Sequence, residues 1–301
     1  MVVQVKAGKD SAQAEVRLKC PAGWTVAESA QPVFFKKRGE EKTLVFHVSP
    51  GGETSEGQLE ALAIVGGRSY NYELIPIKYD HIPQQSVLMP AVVKASRIDM
   101  RVEAKNVGYL MGAGDDIPAA LRQMGCNVTL LEDKDFTTDR LATFDAIVVG
   151  VRAYNTKNGL KFQHEKLLEY AQKGGTLLLQ YNNNFELVLD KLAPFPMKLG
   201  RTRVTDEACP VRFNLPEHPV LNTPNKLSVR DFDGWVQERG LYFPVEWDAA
   251  FQAPVSCNDP DEKPADGAIL VAPYGKGYYV YTSLSFFREL PAGVAGAYRL
   301  F

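Results

Sequence analysis

"GGTLLLQYNNNF", residues 174–185, decides the reading of this chain. A glycine pair ends a helix, four apolar or near-apolar residues follow, and a polar loop closes the stretch. An apolar run without alternation marks a strand buried on both faces, as in a parallel sheet covered by helices. In many α/β enzymes the residue leaving such a strand is a nucleophile. This exit carries Gln180 and Tyr181, then Asn182, Asn183 and Asn184.

The surroundings repeat the pattern. "NVGYLMGAG" is a strand and turn, and "DIPAALRQMG" a helix with proline near its start and glycine after its end. "CNVTLLE" and "FDAIVVGVRAYN" are further strands, and "FQHEKLLEYAQKGG" is the helix before the opening stretch. Strand and helix alternate as in a flavodoxin-like, doubly wound, mainly parallel sheet over residues 97–301. "GAILVAPYGKGYYVYTSLSF" reads as a hairpin turning at "YGKG", which adds antiparallel strands late.

Residues 1–80 have another texture. "AEVRLKC", "TLVFHVSP", "GQLEALAIVG" and "SYNYELIPIKY" alternate with period two between turn signals such as "PGGETSEG". They predict an all-β unit, an Ig-like β-sandwich with Trp24 as a core plug. Residues 81–96 show little periodicity and read as the linker.

The totals exclude several function classes. The chain has 301 residues, 45% of them hydrophobic, with 34 basic and 36 acidic side chains and a formal charge of −2. There is no basic footprint for nucleic acid, and no apolar run long enough for membrane insertion by a helix. Cys20, Cys126, Cys209 and Cys257 have no CxxC spacing and read as buried or incidental thiols. His47, His81, His164 and His218 lack metal-ligand spacing, so neither a metal nor another cofactor is expected in this chain. The abrupt start on a strand and stop in a helix suggest a piece of something longer.

Ligands in such sheets sit outside the carboxyl ends of the strands. Gly112 and Gly114 in "GAGDDI" suit a dinucleotide turn, with Glu132 twenty residues on. Asp115 and Asp116, however, sit where the pyrophosphate would and instead suit the positive end of the helix. Arg152 suits a carboxylate or an acidic sugar through its planar fork, or else an ion pair with Asp115 or Asp116. Tyr154 and Asn155 add a flat face and an amide. Tyr181 is a weak nucleophile at neutral pH, so it and the asparagines either line a polar pocket or build the turn. His218 lines the cleft or is a structural, hydrogen-bonded histidine. Trp235, Glu238 and Arg239 combine an aromatic with charges, as in a sugar site or a packed loop.

Several stretches carry a resemblance. "LKCPAGWTVAES" and "FFKKRGEEKTLVFHVSP" are similar to the Ig-like module found beside glycosidase and carbohydrate-binding domains. "YAQKGGTLLLQYNNNF" resembles the elbow of the class I glutamine amidotransferase-like superfamily. The cysteine position falls on Tyr181, the expected glycine on Asn183, and no His-x-Glu pair follows. "EHPVLNTP" is similar to the ThuA-like branch. Together with "YDHIPQQSVLMPA", "DAIVVGVRAYNT", "DFDGWVQERGLYFP" and "SLSFFRELPAGVAGAYRLF", these resemble the C-terminal region of Bacteroidetes-type PIG-L/LmbE-family deacetylase proteins.

That resemblance implies a zinc-dependent N-acetyl-sugar deacetylase domain upstream in the same polypeptide, a glycan as substrate, and a periplasmic or extracytoplasmic location. The family's H-P-D-D-E metal motif is absent. The expectation is a non-catalytic accessory or substrate-binding region. Its rivals are a hydrolase using Asp115, Glu238 or His218, and a scaffold or dimerisation module whose cleft is filled by its own side chains.

Overall fold

Alternation along Ala12–Lys19 places Ala12, Ala14, Val16 and Leu18 inward and the charged residues outward. This strand pairs antiparallel with Gln31–Phe35 on one side and Ser55–Val65 on the other. Val92–Arg97 and Arg68–Tyr70 extend the sheet beyond Ser55–Val65. A separate antiparallel pair, Val2–Lys6 with Glu41–Val45, contributes Val3 to the same core as Val16, Val33, Phe35, Phe46 and Leu59. Trp24 is half-buried, and its indole N–H donates to Ser55 Oγ at 3.0 Å.

The computed structural model describes residues 1–301, which divide into two units, 1–99 and 100–301. The segment read as a linker over 81–96 carries two strands. Gln85–Pro90 pairs with Tyr72–Ile77 as a hairpin, and Val92–Arg97 joins the first sheet. Prolines hid them from periodicity. Pro76 and Pro90 sit in this two-stranded ribbon, whose outer edges need no ladder N–H.

The second unit is mixed α/β, with many strands and few helices. Its sheet contains β1 (Asn106–Leu110), β2 (Asn127–Leu130), β3 (Ala146–Val149), β4 (Thr176–Gln180), β5 (Val211–Phe213), β6 (Gln252–Cys257), β7 (Ala265–Tyr274) and β8 (Gly277–Thr282). The spatial order is β2-β1-β3-β4-β8-β7-β6-β5. The first five strands are parallel to one another, and β7, β6 and β5 add antiparallel. The turn at "YGKG" pairs Tyr274 with Gly277, as the sequence predicts.

Helix α1 (Ile117–Gln123) crosses from β1 to β2, and helix α2 (Leu160–Gln172) leads into β4. Leu160, Leu167, Leu168 and Ala171 form the buried stripe of α2 against Ile147, Val149, Leu177 and Leu179. The glycine pair has two jobs. Gly174 takes φ +128° after the helix, and a Cβ on Gly175 would lie 2.1 Å from the Tyr170 ring. Chain order reverses at β1, which has β2 on one side and β3 on the other. The loops leaving β1 and β3 therefore flank the crevice where α/β sheets bind ligands.

Candidate functional site

The loop after β1 is pressed against the loop after β3. A Cβ on Gly112 would lie 2.1 Å from the Val151 carbonyl oxygen, so no side chain fits there. Gly114 is exposed. Asp115 turns inward: its Oδ1 accepts from the Tyr109 hydroxyl at 2.6 Å and from the Ile117 N–H at 3.1 Å. Its Oδ2 is buried without a partner. Burial raises the Asp115 carboxyl above its ordinary range, against the hydrogen bonds that favour its charge. Asp116 occupies the N-cap of α1 but makes no side-chain cap bond. Gln180, fully buried at the end of β4, donates to the same Tyr109 hydroxyl at 3.0 Å and leaves its Oε1 unpartnered.

Arg152 starts the loop after β3 in left-handed geometry, φ +56°. Its backbone N–H donates to the Tyr181 carbonyl at 2.9 Å, which ties this loop to the one after β4. The pairing with Asp115 or Asp116 weighed from sequence does not form. Asp115 is turned toward Tyr109, and the charge of Arg152 is felt instead at Tyr181. Arg152 Nε is buried without an acceptor. Tyr154 is fully buried, its hydroxyl 2.7 Å from His164 Nδ1. Burial lowers the His164 pKa below its ordinary value.

The polar elbow after β4 is largely self-satisfied. Asn182 Oδ1 accepts from the Tyr154 N–H at 2.9 Å, and its Nδ2 donates to the Gln180 carbonyl at 3.0 Å. Its own N–H donates to the Tyr281 hydroxyl at 3.2 Å. Asn183 N–H donates to Asn155 Oδ1 at 2.9 Å, and Asn155 Nδ2 donates to the Phe185 carbonyl at 2.8 Å. Tyr181 takes the remaining position. It packs with Val151 and Leu241, stacks on Tyr242 at 6.2 Å and 3°, and meets Phe287 at 5.4 Å. Burial raises its phenol above the ordinary value, outweighing the pull of Arg152 and Arg288.

The later candidates lie elsewhere in the packing. Trp235 is buried, stacked on Phe232 at 5.3 Å and tilted on Phe286. Arg239 is buried over that Trp235 ring, and its guanidinium donates to the Phe232 and Cys209 carbonyls. Glu238 is held from both sides, by Arg203 at 2.9 Å and Arg288 at 3.0 Å. His218 Nε2 lies 2.8 Å from Gln252 Oε1, while its Nδ1 accepts from the Val220 N–H. Gln252 is level with Val271, and Val271 with Val280. His218 is thus reached across β6 and β7, at a level two residues short of the carboxyl end of β8. With both ring nitrogens engaged, its donor set does not fit the zinc of the resembled deacetylases, and no group of three or more metal-ligating residues gathers in the chain.

The structure thus joins Asp115 to Gln180 through Tyr109, Tyr154 to Asn182, Asn155 to Asn183, and Arg152 to Tyr181. It leaves His218 apart. Tyr109, Tyr242, Phe287, Arg288 and Arg203 complete the arrangement and were missed from sequence. Tyr109 had a signal, a phenol one residue before the end of a central strand. The others come from the short helix Phe286–Glu289, the two-residue strand Arg203–Val204 and the loop at Tyr242, all remote in sequence from the elbow. The crevice is occupied by its own aromatics. Depressions of about 390 Å3, lined by residues such as Phe144, Lys166 and Gly175, and about 520 Å3, lined by residues such as Phe195, Lys198 and Trp247, include none of the candidate residues.

No family model matches the chain, and no curated protein matches it. Among solved structures, it is similar to a cold-adapted beta-galactosidase from Rahnella sp. R3, with 19% identity and TM-score 0.42. That match covers 66% of this chain and 31% of the galactosidase. It is also similar to a cytoplasmic protein of Salmonella typhimurium LT2, with 14% identity, TM-score 0.41, and coverage of 76% and 93%. A third is a ThuA-like protein from Bacteroides uniformis, with 12% identity, TM-score 0.40, and coverage of 65% and 90%.

Proposed function

We propose that this chain is a non-catalytic, substrate-binding accessory region of a larger zinc-dependent N-acetyl-sugar deacetylase of the PIG-L/LmbE type. On this reading the first unit is an Ig-like module. The second is a flavodoxin-like, class I amidotransferase-like domain of the ThuA-like kind whose elbow has lost its nucleophile. The parent is exported, so the region works outside the cytoplasm beside its upstream deacetylase domain.

One observation carries the reading. At the elbow, the side chains of Asn182 and Asn155 and the backbone N–H of Asn183 brace the loops, while half-exposed Tyr242 stacks on buried Tyr181 beside Arg152, which has no ion-pair partner. A flat aromatic pair with one free guanidinium suits a sugar ring bearing a carboxylate, since the ring packs on the face and the fork binds the acid. The same geometry disfavours the hydrolase reading. Glu238 holds two arginines, and His218 has both nitrogens engaged. The filled crevice also suits a scaffold, and the test separates the two.

The test is a thermal shift on the chain with uronic acids, N-acetylglucosamine oligomers and their deacetylated forms. A ligand bound only by the folded state raises the midpoint in proportion to ln(1 + [L]/Kd). The expected result is a shift with acidic sugars that Arg152→Gln and Tyr181→Ala both abolish and Tyr181→Phe keeps. No shift with any compound overturns the binding role and leaves the scaffold.

A further inference from the structure

A second cluster lies three strands away from the elbow. Cys257 ends β6 and is level with Val211, the first residue of β5. Cys209 stands two residues upstream of Val211. Both cysteines are buried, at 1% and 0% exposure, and each thiol lies near enough to shift the ionisation of the other. The backbone already holds these segments together. Asp259, two residues past Cys257, accepts from the Thr205 and Asp206 N–H groups and from the Thr205 hydroxyl, each at 2.8 Å. Cys209 closes the same turn, its N–H donating to the Asp206 carbonyl at 3.1 Å.

We propose that Cys209 and Cys257 form a reversible disulfide, making this pair a redox modification site. The lid over it is thin: Glu207, Ala208 and Pro210 are all exposed, so opening one turn uncovers Cys209. Arg239 contributes to the activation. Its guanidinium donates to the Cys209 carbonyl at 2.8 Å and lies beside the thiol. The neighbouring Cys257 thiol has the larger effect, and Arg239 adds to it in lowering the Cys209 thiol below its ordinary range, against burial and Asp206. The neighbouring Cys209 thiol and burial push the Cys257 thiol up. Cys209, under the exposed turn, is thus the attacking thiolate, and Cys257, held inside β6, the resolving thiol.

The oxidant is a disulfide, either of a small thiol or of a thiol–disulfide oxidoreductase. Cys209 thiolate attacks one of its sulfurs, forming a mixed disulfide and releasing the first thiolate, which takes a proton. Cys257 then loses its proton, attacks Cys209 Sγ and releases the second thiol. The two protein thiols are oxidised, and one external disulfide is reduced to two thiols. The link would run parallel to the bonds of Asp259 and close a loop of 49 residues, counted from 209 through 257. Such a loop raises Tm by roughly 5–10 °C if its geometry is unstrained.

The test equilibrates the folded chain in glutathione buffers of rising oxidised fraction, then unfolds it in acid and counts free thiols. The expected count falls from four to two. Intact mass should drop by two hydrogens, a single linked peptide should join Cys209 to Cys257, and Tm should rise. Cys257→Ser should instead trap one glutathione on Cys209, while Cys209→Ser should take none. Four free thiols retained in fully oxidised buffer would overturn the proposal, as would a link through Cys20 or Cys126. Both results read the unmodified chain, so a variant that fails to fold leaves the test intact.

Discussion

Glu289 shows how much one buried group controls. Its side chain is fully buried, Oε2 accepts from the Val236 N–H at 2.9 Å, and Oε1 has no partner. Burial lifts its carboxyl from an ordinary 4.5 to about 7, against the attraction of Arg239 and Arg288. A carboxyl raised by folding binds its proton more tightly in the folded state. Its contribution is therefore complete below pH 4.5 and lost as pH rises through 7, by up to about 3 kcal/mol. Glu289→Gln cannot ionise, so stability measured by urea unfolding should gain on the parent between pH 5 and pH 8. Parallel curves for the two proteins would show that Glu289 is already charged at pH 5. Asn182 is the other residue on which much rests. Asn182→Ala leaves the Tyr154 N–H and the Gln180 carbonyl unpaired inside the protein, at a cost of about 3 kcal/mol. Thermal unfolding should show a midpoint roughly 6–12 °C lower, for a unit of this size. Sequence could name Asn182 but not its role, because that depends on the Tyr154 N–H, 28 residues earlier in the chain. An amide that braces a turn and one that binds a ligand look the same as letters.

Among elements, the approach of the loops after β1 and β3 sets the crevice. Gly112 stands where any Cβ would strike the Val151 carbonyl and the Ala153 nitrogen, both backbone atoms. Neither can move without shifting a central strand, so Gly112→Ala should destabilise the second unit by about 1–3 kcal/mol. Gly150 faces it, with its Cβ position 2.9 Å from the Gly112 nitrogen. Urea midpoints compared with an exposed control such as Ala113→Ser would check the claim, and an unchanged midpoint would refute the close approach. The parallel strands were legible because "AIVV" and "TLLLQ" are apolar on both faces, a pattern that needs no partner to be recognised. The hairpin at "YGKG" was legible from its turn. Gln85–Pro90 and Val92–Arg97 were not, since prolines and two-sided exposure erased the period that marks a strand. The ion pair of Arg152 with Asp115 or Asp116 is absent for a related reason. The charge of Arg152 suggested a carboxylate across the crevice, whereas its left-handed backbone and its bond to the Tyr181 carbonyl aim it at the elbow.

At the scale of the whole molecule, stability is distributed unevenly. The core of residues 1–99 and the core built on β3, β4 and β8 share no side chain. The ribbon of Tyr72–Ile77 and Gln85–Pro90 belongs to neither. Tyr72, Leu74 and Leu88 are between 54% and 62% exposed, and Val87 and Met89 are also open to solvent. A two-stranded ribbon without a packed face is marginal in water, because its ladder bonds compete with hydration and gain little burial. Its backbone should therefore open locally, at free energies far below that of global unfolding. Amide hydrogen exchange on the whole chain should show Leu74, Ile75, Val87 and Leu88 exchanging early. Val16 and Leu18 in the first unit, and Leu177 and Leu179 in β4, should persist until their own cores unfold. Protection of the ribbon equal to that of Val16 would mean that its apolar residues are covered in solution. Repeating the exchange at several protein concentrations would then show whether a second copy covers them, because only self-association makes protection rise with concentration.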